Sequence, residues 1–198
     1  LFKDFDIDKK VNEFELSRLA KLIFQHTSGK TLDAGCGTGK ITFTLLKRGY
    51  DAAGLDYSKN ILTKVKKASP AHAKRFLFGD VRKLPFKEHT FQTYISPGVV
   101  EHFPPDVQNT ILYEANRVLQ PTGTLIFIVP YINALTQLRR KKVLASEAKR
   151  QERGEPFYQY RYSCRAVKKL LENNGFAVKR MYLLGLPDTQ LFGRKIVP

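Results

Sequence analysis

Three aspartates and three glycines carry the chemistry available to this sequence. Asp33 ends a short apolar run (Thr31, Leu32), and Gly35, Gly37 and Gly39 then alternate with small residues. Glycines let a backbone come close to a ligand, and the N-terminus of a following helix offers unpaired N–H groups to an anion. Asp33 sets a carboxylate beside that turn, suited to a ligand's ammonium group. Asp56 closes the next strand about 20 residues after Gly35, where an acid takes both hydroxyls of a ribose. Asp80 closes a third strand, and an acid at a strand's C-terminal edge faces the ligand crevice of an open α/β sheet. One ligand with a carboxylate, an ammonium and a ribose fits Asp33, the turn and Asp56. A dinucleotide pyrophosphate uses the glycines and Asp56 but not Asp33. Its fingerprint is also G-x-G-x-x-G, whereas this turn is G-x-G-x-G with Lys40 at the third fingerprint position. A turn that merely joins strand to helix is the bland alternative.

The elements that must hold these residues follow from hydrophobic period and breakers. Ile41, Leu45 and Leu46 recur at helical spacing until Lys47-Arg48-Gly49, and a buried strand over 51–55 closes on Asp56. This unit is a βαβ with a right-handed crossover. Upstream, residues 12–26 predict one amphipathic helix. Downstream, Ser58 caps a helix over 59–68 that Pro70 ends, and residues 74–78 form the third strand. Strand four spans 91–96, a helix covers 107–118, residues 120–123 turn, and 124–129 is the central fifth strand. Ser163 caps a last helix, Asn173-Asn174-Gly175 ends it, and strand six runs over 176–184. Only Leu191-Phe192 and Ile196-Val197 remain for another strand, separated by Gly193-Arg194-Lys195.

DAGCGTGKITFTLLKRGYDAAGLDYS resembles the first two cofactor motifs of class I S-adenosylmethionine-dependent methyltransferases. The GDVRKLPF and ANRVLQPTGTLIFIVP stretches resemble later segments of the same family, and the likeness covers residues 31–184. The resemblance implies an α/β fold, a three-layer αβα sandwich over a mostly parallel seven-stranded sheet in the order 3-2-1-4-5-7-6. The last strand is then short or truncated. It implies S-adenosylmethionine as cofactor, held by Asp33, Gly35, Cys36, Gly37, Gly39, Asp56, Tyr57, Asp80, Val81 and Ser96. Asp80 and the Val81 N–H would meet the adenine. The methyl leaves a sulfonium as a neutral thioether departs, so the reaction requires no metal.

A small molecule is the expected acceptor. Glu101-His102-Phe103 after strand four is common in small-molecule enzymes of this class, and Ser96-Pro97-Gly98 stands where nucleic-acid amino-methylating enzymes carry N-P-P-Y. RNA is the runner-up, and a regulatory domain that only binds the cofactor is the third reading. His102 is the candidate base, needed only for an acceptor that arrives protonated. Its other role is that of a loop residue bonding the backbone.

The whole chain, 1–198, reads as one domain with a helical N-terminal segment at 1–29. Residues 131–159 form a basic insertion where the family places a substrate lid. Net charge is +16, spread along the chain, which attracts RNA, acidic membranes or anionic substrates or simply solvates the surface. Cys36 and Cys164 make no framework or metal spacing. With no apolar run near membrane-spanning length and acidic residues at positions 4, 6 and 8, the expectation is a cytoplasmic protein. The first residue is Leu, so the native start stays open.

Overall fold

Residues 7–131, 159–183 and 190–195 are described by the computed structural model of the chain. Its sheet contains β1 (Thr31–Ala34), β2 (Ala52–Asp56), β3 (Phe76–Phe78), β4 (Phe91–Pro97), β5 (Leu119–Ile128), β6 (Phe176–Tyr182) and β7 (Gln190–Lys195). The strands lie in the order β3-β2-β1-β4-β5-β7-β6. The first five run parallel, and β7 pairs antiparallel with both β5 and β6. Register places Asp33 beside Gly54 and Asp56 beside Phe78, so the acids expected at strand ends share one edge of the sheet.

Helices cover both faces because strand side chains alternate. Leu125, Phe127 and Val129 pack with Ile111, Leu112 and Ala115 of α5 (Pro105–Val118) and with Val167 and Leu171 of α6 (Cys164–Asn173). Ile126 and Ile128 face the opposite way, onto Ile23 of α2 (Arg18–His26) and Ile41 and Leu45 of α3 (Lys40–Lys47). A central strand buried on both faces reads as a continuous apolar run, as Leu125–Val129 does. Leu62 and Val65 of α4 (Lys59–Ala68) close the β3 edge around Phe76.

Four expectations change. The single helix over 12–26 is two, α1 (Ile7–Glu15) and α2, because the Ser17 hydroxyl accepts the Ala20 N–H at 3.1 Å and starts a new helix. Phe14, Ala20 and Ile23 still share one cluster, which is why the apolar period runs through the break. Lys74 and Arg75 belong to a 3-10 turn over Pro70–Arg75, and strand three keeps only three residues. The turn at 120–123 lies within β5 as an outward bulge: Phe91 pairs with Leu119, and two residues later Thr93 pairs with Thr124. Gly193-Arg194-Lys195 does not break β7, since Gly193 pairs with Leu125 and Arg194 with Thr124.

Residues 132–158, most of the basic insertion, lie outside the described residues. The insertion's two ends meet at the C-terminal edge of the sheet. Tyr131 bridges Tyr162, the Tyr162 N–H donates to Pro130 O at 3.0 Å, and the Tyr160 N–H donates to Glu101 O at 2.7 Å. Among the described residues no helix is long and apolar enough to cross a membrane.

Candidate functional site

The glycine turn between β1 and α3 is tied down from below. The Gly35 and Cys36 N–H groups both donate to Leu55 O of β2, at 2.8 and 3.0 Å. Gly35 has φ +79°, and a Cβ there would overlap Val99 Cγ2, so the turn packs directly on the segment after β4. Gly37, at φ +52°, differs in that a Cβ would meet nothing within 4 Å. This turn position opens outward, as a backbone cradle for a ligand must. The Cys36 side chain instead packs with Phe43, Val65 and Phe76, and burial pushes its thiol pKa up. Only its backbone faces the turn.

Asp33 is fully buried. Its Oδ2 accepts the Thr42 hydroxyl at 2.7 Å and the Thr42 N–H at 3.2 Å, in the first turn of α3. Its Oδ1 is buried and has no hydrogen-bond partner among the described residues. Burial raises the carboxyl pKa to about 6 against the two Thr42 bonds that lower it. Buried polar atoms are nearly always satisfied, so an open carboxylate oxygen under an open glycine turn marks a place for a cation.

Asp56, half-buried, clamps the same turn from β2. Its Oδ2 accepts the Gly37 N–H and its Oδ1 the Ser58 N–H, both at 2.8 Å. Each oxygen keeps a lone pair, enough for two further donors. Beside it, Tyr57 (67% exposed) and Phe78 (47% exposed) pair with ring centroids 5.6 Å apart. The Lys59 ammonium sits 4.9 Å from the Phe78 centroid. Phe78 ends β3 beside Asp56 at the end of β2, and in the chain Tyr57 follows Asp56 while Phe78 precedes Gly79-Asp80.

Asp80 is paired differently. The Arg82 side chain grips both of its oxygens and holds the carboxyl below the usual carboxylate range. The Val81 side chain is buried, while its N–H makes no hydrogen bond among the described residues. Ser96 is buried in β4 opposite Phe127. His102 is exposed at the end of a short 3-10 turn, Val100–His102. Its neighbour Glu101 is 2% exposed, with Oε2 unpartnered among the described residues. Burial pushes the Glu101 carboxyl pKa up. An open cleft of about 380 Å³, lined by Glu13, Phe14, Thr38 and Lys40, lies between α1 and the glycine turn.

Asp56 thus holds Gly37 directly, Gly35 is tied to the neighbouring Leu55, and Asp33 is held separately by Thr42 at the start of α3. Asp80 and Val81 come just after Phe78 of the exposed ring pair, and Ser96 and His102 lie on and beyond β4. Phe78 and Arg82 were not expected at the site, and Glu101 was expected only as part of the Glu101-His102-Phe103 stretch. Phe78 had a signal in its place just ahead of Gly79-Asp80. Glu101 had one in the apolar residues Val99 and Val100 before it.

Residues 32–127 match the Methyltransferase domain family. Over 186 residues the chain is 27% identical to a malonyl-[acyl-carrier protein] O-methyltransferase of Serratia marcescens, covering 90% of this chain and 66% of the relative. It is 39% identical over 106 residues to a ubiquinone/menaquinone biosynthesis C-methyltransferase of Roseobacter denitrificans, covering 50% of this chain and 41% of the relative. The chain spans about two thirds or less of the length of these curated relatives. In fold it is similar to a Pyrococcus horikoshii protein, with TM-score 0.74, 24% identity, and coverage of 97% of this chain and 94% of that one. It is similar also to a Synechocystis magnesium protoporphyrin IX methyltransferase with bound S-adenosylhomocysteine, with TM-score 0.64, 21% identity, and coverage of 96% and 82%.

Proposed function

We propose that the chain is a class I S-adenosylmethionine-dependent methyltransferase that moves a methyl group from that cofactor to a small-molecule acceptor, a reading supported by the match of residues 32–127 to the Methyltransferase domain family. The carrying observation is the pair of acids at the glycine turn, with a buried open oxygen on Asp33 and spare lone pairs on the Asp56 that holds Gly37. Asp33 fits the cofactor's ammonium and Asp56 its ribose hydroxyls. Gly35, Gly37, Gly39 and the Cys36 backbone fit the methionine arm, and Ser96 the floor at β4. Tyr57 and Phe78 flank the adenine, with the Val81 N–H as its donor. Glu13 and Lys40 line the adjoining cleft with opposite charges.

When bound, the cofactor supplies an electrophilic methyl on a sulfonium that leaves as a neutral thioether. The protein's part is then largely to hold the acceptor in line, and proximity of this kind is worth roughly 7–11 kcal/mol. An acceptor that arrives as a hydroxyl needs a proton taken from it. His102 is the proposed base, and Glu101 beside it is a second acid near the same strand end. The insertion at 131–159 is proposed to cover the acceptor, supported by the meeting of its ends beyond β5.

One named relative is a C-methyltransferase of ubiquinone/menaquinone biosynthesis and another an O-methyltransferase of malonyl-[acyl-carrier protein], which supports an acceptor other than RNA. The net charge of +16 and the basic insertion at 131–159 favour RNA instead. A cytoplasmic location fits this reading. The test is labelled S-adenosylmethionine with hydroquinones, acyl thioesters and tRNA. Label in a small molecule supports the proposal, and label in tRNA at physiological salt overturns it in favour of RNA.

A further inference from the structure

The Asp80 carboxylate is gripped on both oxygens by Arg82. Its Oδ1 accepts the Arg82 backbone N–H at 2.8 Å and the Nε–H at 3.0 Å. Its Oδ2 accepts the Nε–H at 2.9 Å and an Nη2–H at 2.6 Å. A carboxylate offers about four lone-pair sites, and these three N–H groups, with the Nε–H shared between both oxygens, take most of them. Asp56 carries one bond per oxygen and keeps room for a ligand. The contrast matters because Asp80 follows Phe78 of the exposed Tyr57–Phe78 pair, at the corner where an adenine amino group would need an acceptor.

We propose that Arg82 is a competing occupant of this corner, holding Asp80 until the adenine amino group displaces its guanidinium. The inference rests on the cofactor reading above. Displacement is feasible on three counts. The Arg82 backbone N–H stays on Oδ1 when the side chain leaves, so Asp80 keeps its position. The side chain is 47% exposed, so water takes over its bonds. The guanidinium carbon lies 6.0 Å from the Phe103 ring centroid, which gives it an aromatic face to settle on.

Arg82 also blunts discrimination. With the guanidinium present the corner offers donors, and a purine bearing a carbonyl in place of the amino group finds a partner. Without it the corner is an acceptor that welcomes an amino donor and rejects a carbonyl.

Calorimetry on the full chain compares S-adenosylhomocysteine with its inosine counterpart, S-inosylhomocysteine, for the wild type, Arg82→Ala and Arg82→Lys. An exposed ion pair of this kind shifts an equilibrium by roughly twofold to fivefold. Arg82→Ala should therefore tighten S-adenosylhomocysteine by about that factor and leave S-inosylhomocysteine no tighter, with Arg82→Lys between. In an Asp80→Asn background the Arg82→Ala change should have no effect, an outcome a merely structural arginine does not produce. Weaker or unchanged S-adenosylhomocysteine binding in Arg82→Ala would overturn the inference, as would the same gain in the Asp80→Asn background. If every variant failed to bind S-adenosylhomocysteine, the cofactor reading would fall and the inference with it.

Discussion

Asp33 gives the most quantitative expectation, because its stability and its ligand are linked through one proton. Folding raises its carboxyl pKa from the ordinary 3.8 to about 6, chiefly by burial. A raised carboxyl favours the protonated fold, so its stabilisation is fully present below pH 3.8 and is lost as pH rises through 6. Linkage puts the total loss at about 3 kcal/mol, of which about 1.4 kcal/mol falls between pH 5 and pH 8. Asp33→Asn removes this titration. The pH dependence is the clean readout, since the Asn amide brings its own buried N–H with a cost of roughly 1–3 kcal/mol. In urea unfolding at pH 5 and pH 8, the wild-type stability minus that of Asp33→Asn should fall by about 1.4 kcal/mol. A cation on Oδ1 selects the ionised form, so wild-type affinity for S-adenosylhomocysteine should drop nearly tenfold from pH 7 to pH 5, and the variant's should stay flat. A stability difference that is level with pH, or that grows toward pH 8, would refute the buried-carboxylate argument.

Two further substitutions probe the frame around the site. Gly37→Ala meets no neighbour, so its cost to the fold is only the left-handed backbone, roughly 1–2 kcal/mol, whereas its methyl enters the ligand's space. Thermal melts should show a small loss, and calorimetry a loss of S-adenosylhomocysteine binding well beyond it. Glu114 accepts the Leu84 N–H at 2.7 Å and pairs with Arg117, which also donates to Leu84 O and Phe86 O. Glu114→Ala leaves that buried N–H and the guanidinium unmatched and should cost roughly 2–3 kcal/mol by urea unfolding, loosening the loop that carries Asp80 and Val81.

The βαβ unit was legible because its signals are local: a change from strand to helix period, three glycines in alternation, and an acid ending each strand. The same locality explains what was not legible. Nothing near Asp33 announces that Thr42, nine residues on, takes one carboxylate oxygen and leaves the other open. The Asp80–Arg82 grip depends on the conformation of a tight turn, which residue types alone do not set. Gly193-Arg194-Lys195 looks like a breaker, yet pairing on both sides with β5 and β6 supplies the strand from outside. Ser17 broke a helix whose apolar period was intact, because a hydroxyl cap competes locally with the helix ladder.

The crevice at the C-terminal ends of β1, β2 and β3 is proposed to hold S-adenosylmethionine and not a dinucleotide. Calorimetry with S-adenosylhomocysteine and NAD, on the wild type and Asp56→Ala, tests it most directly. One S-adenosylhomocysteine per chain should bind, with no comparable NAD binding. Asp56→Ala removes two charge-assisted hydrogen bonds of roughly 1.5–3 kcal/mol each and should weaken that binding at least tenfold. Tighter binding of NAD than of S-adenosylhomocysteine, or an Asp56→Ala variant that binds S-adenosylhomocysteine as well as the wild type, would contradict it.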